Sequence, residues 1–209
     1  MAAQPWQELA SAEQRTALEH YASQSHWGLA LALIGWLHLA AFALCYYLTV
    51  RCDYHDSPGY LAIWAAELCG AGWILHRCGK NRGAMELPPL GRFVVRVWLS
   101  YFLLAFNLGT LNTLRGHAMF EFFPAMATLA SFAFLVMTFS VHRRFFMAVV
   151  VMFCSGLLMA SQFVHAYLIF ALAWWLVLNG IGITLGQAGW QSVRDAVTTL
   201  PTTPSPSTR

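Results

Sequence analysis

Six long apolar runs, at about 27–50, 59–76, 93–112, 120–140, 145–162 and 164–186, set the frame for everything this chain can fold into. Each is about as long as the helix that crosses a bilayer core of roughly 30 Å, and each is bounded by charged or turn residues. The runs are continuously apolar rather than alternating, which argues against a barrel. In lipid only helices and closed barrels satisfy their own backbone groups. The sequence therefore predicts an all-α integral membrane bundle of six transmembrane helices. Composition agrees: 58% of residues are hydrophobic and 10% charged, against roughly 45–50% and 25% in a soluble domain. A dispersed net charge of +3 gives no footing for nucleic acid, so the lipid bilayer is the expected partner. The division between the last two runs rests only on Ser161, Gln162 and His165.

Residues 1–26 are polar and slightly acidic, without the basic start and cleavage site of a secretory signal. Ser11 and Gln14 fit a capping box, and Leu18, Tyr21 and Ala22 recur at helical spacing, so this cytoplasmic segment suits an amphipathic helix on the membrane. Six spans fill a transmembrane domain at 27–187. The residues from 188 to 209, ending TTLPTTPSPSTR, form a polar tail expected to be disordered. Positive charge sets the orientation. With both termini cytoplasmic, the inner side carries Arg15, Arg77, Lys80, Arg82, Arg92, Arg143, Arg144, Arg194 and Arg209, with Arg96 at the inner end of its span. The outer side carries Arg51 and Arg115. Such an asymmetry suits the inner, plasma membrane of a bacterium.

The cysteines at 45, 52, 69, 78 and 154 form neither CxxC nor CxxCH, and Cys69 and Cys154 read as small packing residues inside spans. Ala62, Ala66 and Gly70 in the second run, and Gly182 and Gly186 in the sixth, are seams for close helix approach, within the bundle, to partner membrane subunits or to a homo-oligomer. Trp27, Tyr46, Tyr47, Tyr60, Trp73, Trp98 and Tyr167 lie near span ends, as an interfacial belt would.

Polar residues at membrane depth carry the functional reading. His38 lies roughly 16 Å in from the cytoplasmic side and Glu67 roughly 12 Å in from the outside, at 1.5 Å per residue. The two are thus placed near one level, and the cost of a carboxylate in hydrocarbon requires Glu67 to face the interior and be protonated, paired or wet. At about 100° per residue, Arg96, Ser100, Asn107 and Thr110 fall within about 80° on the third span. His38, Glu67, Ser100 and Asn107 read either as an intramembrane polar track for protons or a small solute, or as interhelical hydrogen-bond glue.

A second set lies toward the outer face: Asp53, His55 and Asp56, then His117 and Glu121 beside Arg115, and His165. Imidazoles and carboxylates are the groups that bind zinc or run hydrolysis, but no HExxH spacing joins these. Haem would need ligands at matched depth, and His38 has no histidine at its level. Residues 153–156 read FCSG where a GxSG nucleophile motif would be required. No catalytic residue, cofactor or metal is assigned. Three functions stay in view: small-solute or proton transport, a non-catalytic accessory or scaffold subunit, and a membrane hydrolase using the outer set.

Overall fold

The structure is a computed structural model, which describes residues 5–24, 26–53, 57–79, 87–118 and 120–198. It is all-helical, 90% helix, with no strand among the described residues. Among the described residues seven helices follow in order: α1 (Pro5–Gln24), α2 (Trp27–Arg51), α3 (Ser57–Gly79), α4 (Pro89–Leu114), α5 (Phe123–Ser140), α6 (Phe146–Ser161) and α7 (Ala166–Thr198). Short 3₁₀ turns at Arg143–Phe145 and Phe163–His165 join the last three.

Among the described residues, five segments are long and apolar enough to cross a membrane: Trp27–Arg51, Pro89–Leu114, Phe123–Ser140, Arg143–Ser161 and Phe163–Leu185. α3 has the length, at 23 residues, but is not among them. The helix bounds fall close to the apolar runs because the same residues end both. Pro89 and Pro124 stand at the first turns of α4 and α5, where a missing N–H costs nothing. His26 turns the chain from α1 into α2 in the left-handed region, at φ 50° and ψ 32°. Histidine, asparagine and aspartate are the non-glycine residues that visit it most readily.

Two expectations about the ends change. α1 starts at Pro5, so Ser11 and Gln14 lie inside the helix and do not cap it. Leu18, Tyr21 and Ala22 are buried, and α1 packs on α7, α2 and α4. At the other end the tail is helical as far as Thr198, because residues 188–198 hold no proline and several good helix formers. The remaining tail, 199–209, lies outside the described residues, as do Lys80 and Arg82.

α7 runs through the middle of the bundle, packing most extensively on α2 and also on α6, α1 and α5. Glycines permit the α2–α7 approach: a Cβ on Gly35 would lie 2.8 Å from the Asn179 amide nitrogen, and one on Gly182 only 2.6 Å from the Gly28 carbonyl oxygen. The Gly182 seam is therefore closed within the chain. Gly70 meets Leu37 of α2, but Ala62 and Ala66 are exposed, so only one end of that predicted seam is used internally. Cys69 and Cys154 are likewise exposed rather than packed.

The core is aromatic. Phe42, Tyr60, Phe123, Phe134, Tyr167 and Phe170 are buried, and Tyr60 stacks on Tyr167 with centroids 5.7 Å apart and planes 9° apart. Tyr60 and Tyr167 therefore leave the expected interfacial belt, as does Trp98, which packs on Phe134 and Trp174 at 5.0 and 5.8 Å. Tyr47 and Trp73 keep exposed positions. The buried serine hydroxyls close on their own helices: Ser131 donates to Ala127 O at 2.9 Å and Ser155 to Met152 O at 2.8 Å.

Candidate functional site

His38 and Glu67 stand near the middles of α2 and α3, two helices that pack side by side. His38 Nδ1 lies 2.5 Å from Glu67 Oε1, and the side chains are 12% and 14% exposed. The sequence places both at one depth from the fixed helical rise, and the structure brings them into hydrogen-bond contact. Two arrangements satisfy this geometry: an imidazole N–H donating to the carboxylate, or a carboxylic O–H donating to the imidazole nitrogen. A single proton can therefore rest on either side of one short bond.

The walls are aromatic and come from a distant part of the chain. Phe42, one turn along α2 from His38, lies 4.3 Å from its ring centroid, while Phe170 and Trp174 of α7 lie at 5.7 and 6.1 Å. His38 Nε2 is buried and has no hydrogen-bond partner among the described residues. Sequence reading missed Phe170 and Trp174. Their spacing of four residues marks one helical face, but nothing in the sequence says that this face meets α2.

Ser100 and Asn107 do not join the pair. Both are exposed, together with Arg96 and Thr110, while Gly91, Tyr101 and Ala105 form the buried side of α4. The expected polar track shared by all four residues is therefore broken, because Trp98 and Tyr101, not the polar stripe, turn toward Trp174. The stripe is not glue within this bundle either. Thr110 donates to Phe106 O of its own helix at 2.9 Å, and Ser100 and Asn107 make no side-chain hydrogen bond among the described residues.

The outer set does not converge among the described residues. Tyr46 OH and His165 Nδ1 are 3.0 Å apart, a pairing the sequence did not suggest. His117 Nδ1 lies 2.9 Å from Glu121 Oε2 on the exposed α4–α5 turn, where Asn112 also donates to Ala118 O at 2.9 Å. Those contacts fasten a turn. Asp53 is exposed, and His55 and Asp56 lie outside the described residues. Among the described residues no three His, Cys, Asp or Glu side chains stand where they could hold a metal ion.

At the opposite end, His142 Nδ1 accepts the Arg144 backbone N–H at 3.0 Å and so caps the turn into α6. Burial, and next the Arg144 guanidinium, hold this imidazole below its ordinary 6.5; Glu19 of α1 opposes them, and Arg15 and Arg143 add to them. A histidine lowered in the folded state is protonated first in the unfolded chain, so stability rises with pH across that interval and is lost as pH falls below about 6.5. Protonation also removes the acceptor that caps the turn. Denaturation midpoints are expected to fall between pH 7 and 5, and His142→Asn, which keeps a cap acceptor without titrating, is expected to flatten that slope. An unchanged slope in the variant would assign the loss to other groups.

No protein-family model, curated protein or solved structure matches this chain.

Proposed function

We propose that this chain is a six-span membrane protein that moves protons, or a small polar solute coupled to them, through the His38–Glu67 pair. The observation that carries the reading is a titratable pair at mid-helix depth, in hydrogen-bond contact across two helices and walled by aromatic rings. Intramembrane ionisable residues are costly, and proton relays are among their principal uses. α3 serves as the sixth span in this reading. It reaches roughly 34 Å at 1.5 Å per residue, enough for a core of about 30 Å. Six spans put both termini on one side, and the Lys/Arg asymmetry favours the cytoplasm of a bacterial cell. Ser100 and Asn107, being exposed, are left out of the route.

The test is proton flux into vesicles of purified protein under an imposed pH gradient, followed with an internal pH-sensitive dye. Glu67→Gln keeps the shape of the side chain and a hydrogen bond to His38 but cannot give up a proton. Flux is expected to fall at least about a hundredfold, the lower end of what one positioned proton-transfer group contributes, with the denaturation midpoint retained. Undiminished flux through that variant would end the proposal. Exposed Ala62 and Ala66 on α3 favour a second reading, an accessory subunit that receives a partner's helix there. Isolation of the chain as a stable, active monomer would count against it.

A further inference from the structure

We propose that the outward face of α4 is the interface of a homodimer, with Asn107 of each copy hydrogen-bonded to the other across a two-fold axis. This inference stands apart from the transport reading. It starts from an inversion: polar side chains of membrane helices face the bundle interior as a rule, yet on α4 they point directly away from it. At about 100° per residue, the buried Tyr101 and Ala105 lie roughly opposite Arg96, Ser100 and Asn107.

The outward residues are also periodic. Arg96, Ser100, Leu103, Asn107, Thr110 and Leu114 recur at alternating steps of four and three, and all six are exposed. Every face of a helix recurs at such steps, and along this one a second helix crossing at a small left-handed angle would meet all six residues. Leu103 and Leu114, 70% and 79% exposed, supply the apolar part of such a seam.

Hydrogen-bond complementarity identifies the occupant as a second copy. The Asn107 amide carries both donors and an acceptor, and makes no hydrogen bond among the described residues. It lies roughly 10 Å from the Leu114 end of α4 at 1.5 Å per residue, within the apolar part of the span. Lipid tails satisfy neither half of the amide. A second copy offers the same amide at the same depth by symmetry, so one two-fold contact answers both halves in both chains. Ser100 faces its own copy in the same way. Arg96 lies toward the helix end, and its long stem lets the guanidinium reach the headgroups instead of its counterpart. The self-complementary hydrogen bonds then sit inside the seam and the like charges at its rim.

The experiment uses full-length protein in phosphatidylcholine/phosphatidylglycerol vesicles. Copies labelled with donor or acceptor dyes are mixed, and energy transfer is read as a function of protein-to-lipid ratio. Wild-type chains are expected to associate and Asn107→Leu to weaken association about tenfold, or about 1.4 kcal/mol. Folding of that variant is secure because its leucine faces outward, and Phe102→Leu, off the seam, is expected to change nothing. A second measurement fixes the face. With Cys52, Cys69, Cys78 and Cys154 replaced by alanine, Leu103→Cys, Asn107→Cys and Leu114→Cys are expected to give disulfide-linked dimers, and Phe102→Cys and Leu104→Cys to stay monomeric. Monomers at every ratio, association untouched by Asn107→Leu, or cross-linking that ignores the seam would overturn the proposal, as would cross-linking in native membranes to a different protein alone.

Discussion

Gly182→Leu is expected to destabilise the bundle by about 3 kcal/mol, the upper part of the usual range for overpacking. At this point α7 passes so close to α2 that a Cβ would lie 2.6 Å from the Gly28 carbonyl oxygen and 3.4 Å from the Ala32 nitrogen. Both are helix backbone atoms, and neither swings aside as a side-chain end does. Relief requires the two helices to part along the most extensive interface in the molecule. Gly180 provides the control, since nothing lies within 4 Å of where its Cβ would stand. Gly180→Ala is expected to be neutral or to stabilise by up to about 1 kcal/mol through helix propensity. Equal losses from the two variants, measured by denaturation in detergent, would show that the α2–α7 seam is not closely packed.

Breaking the His38–Glu67 pair from one side is the other large expected loss. His38→Leu leaves the Glu67 carboxyl at mid-helix depth without its partner, and Glu67→Leu does the same to an imidazole already walled by rings. Removing one member of a largely buried polar pair costs about 3 kcal/mol. Replacing both by leucine removes the unmet demand as well as the bond, so the double variant is expected to regain most of what either single variant loses. The four stabilities form a double-mutant cycle. Additive losses would mean that the two side chains do not support one another. This cycle reads stability alone, so it is independent of whether protons move.

The all-helical class and most helix bounds between residues 27 and 161 were legible in the sequence, because apolar runs and the charges between them are properties of single segments; of the six expected spans, five are apolar enough to cross a membrane. That His38 and Glu67 come level with one another was legible for the same reason: helical rise is constant, and counting from each end of the two runs brings them together. Rotation about the helix axis was not. The stripe on α4 reads from sequence as a polar track shared with His38 and Glu67 or as interhelical hydrogen-bond glue, whereas the bulk of Trp98 and Tyr101 turns the opposite side toward the core. Pairing between distant segments was hidden too. Nothing in the local pattern of α2 announces α7, so Phe170 and Trp174 could not be placed beside His38. Tyr60 and Tyr47 look alike as span-end tyrosines, and only the neighbours of Tyr60 make it a core residue.

The central position of α7 bears on how the molecule is made. α2 is translated early and its principal partner last, so every unfinished chain enters the bilayer with Gly28 and Gly35 uncovered and with His38 missing the rings of Phe170 and Trp174. The helices between them can assemble locally, α5 on α6 and α3 on α2, but no such partial assembly closes the bundle. Completion of the fold thus waits on completion of the polypeptide. A product truncated before residue 166 lacks the helix that brings Phe170 and Trp174 against His38.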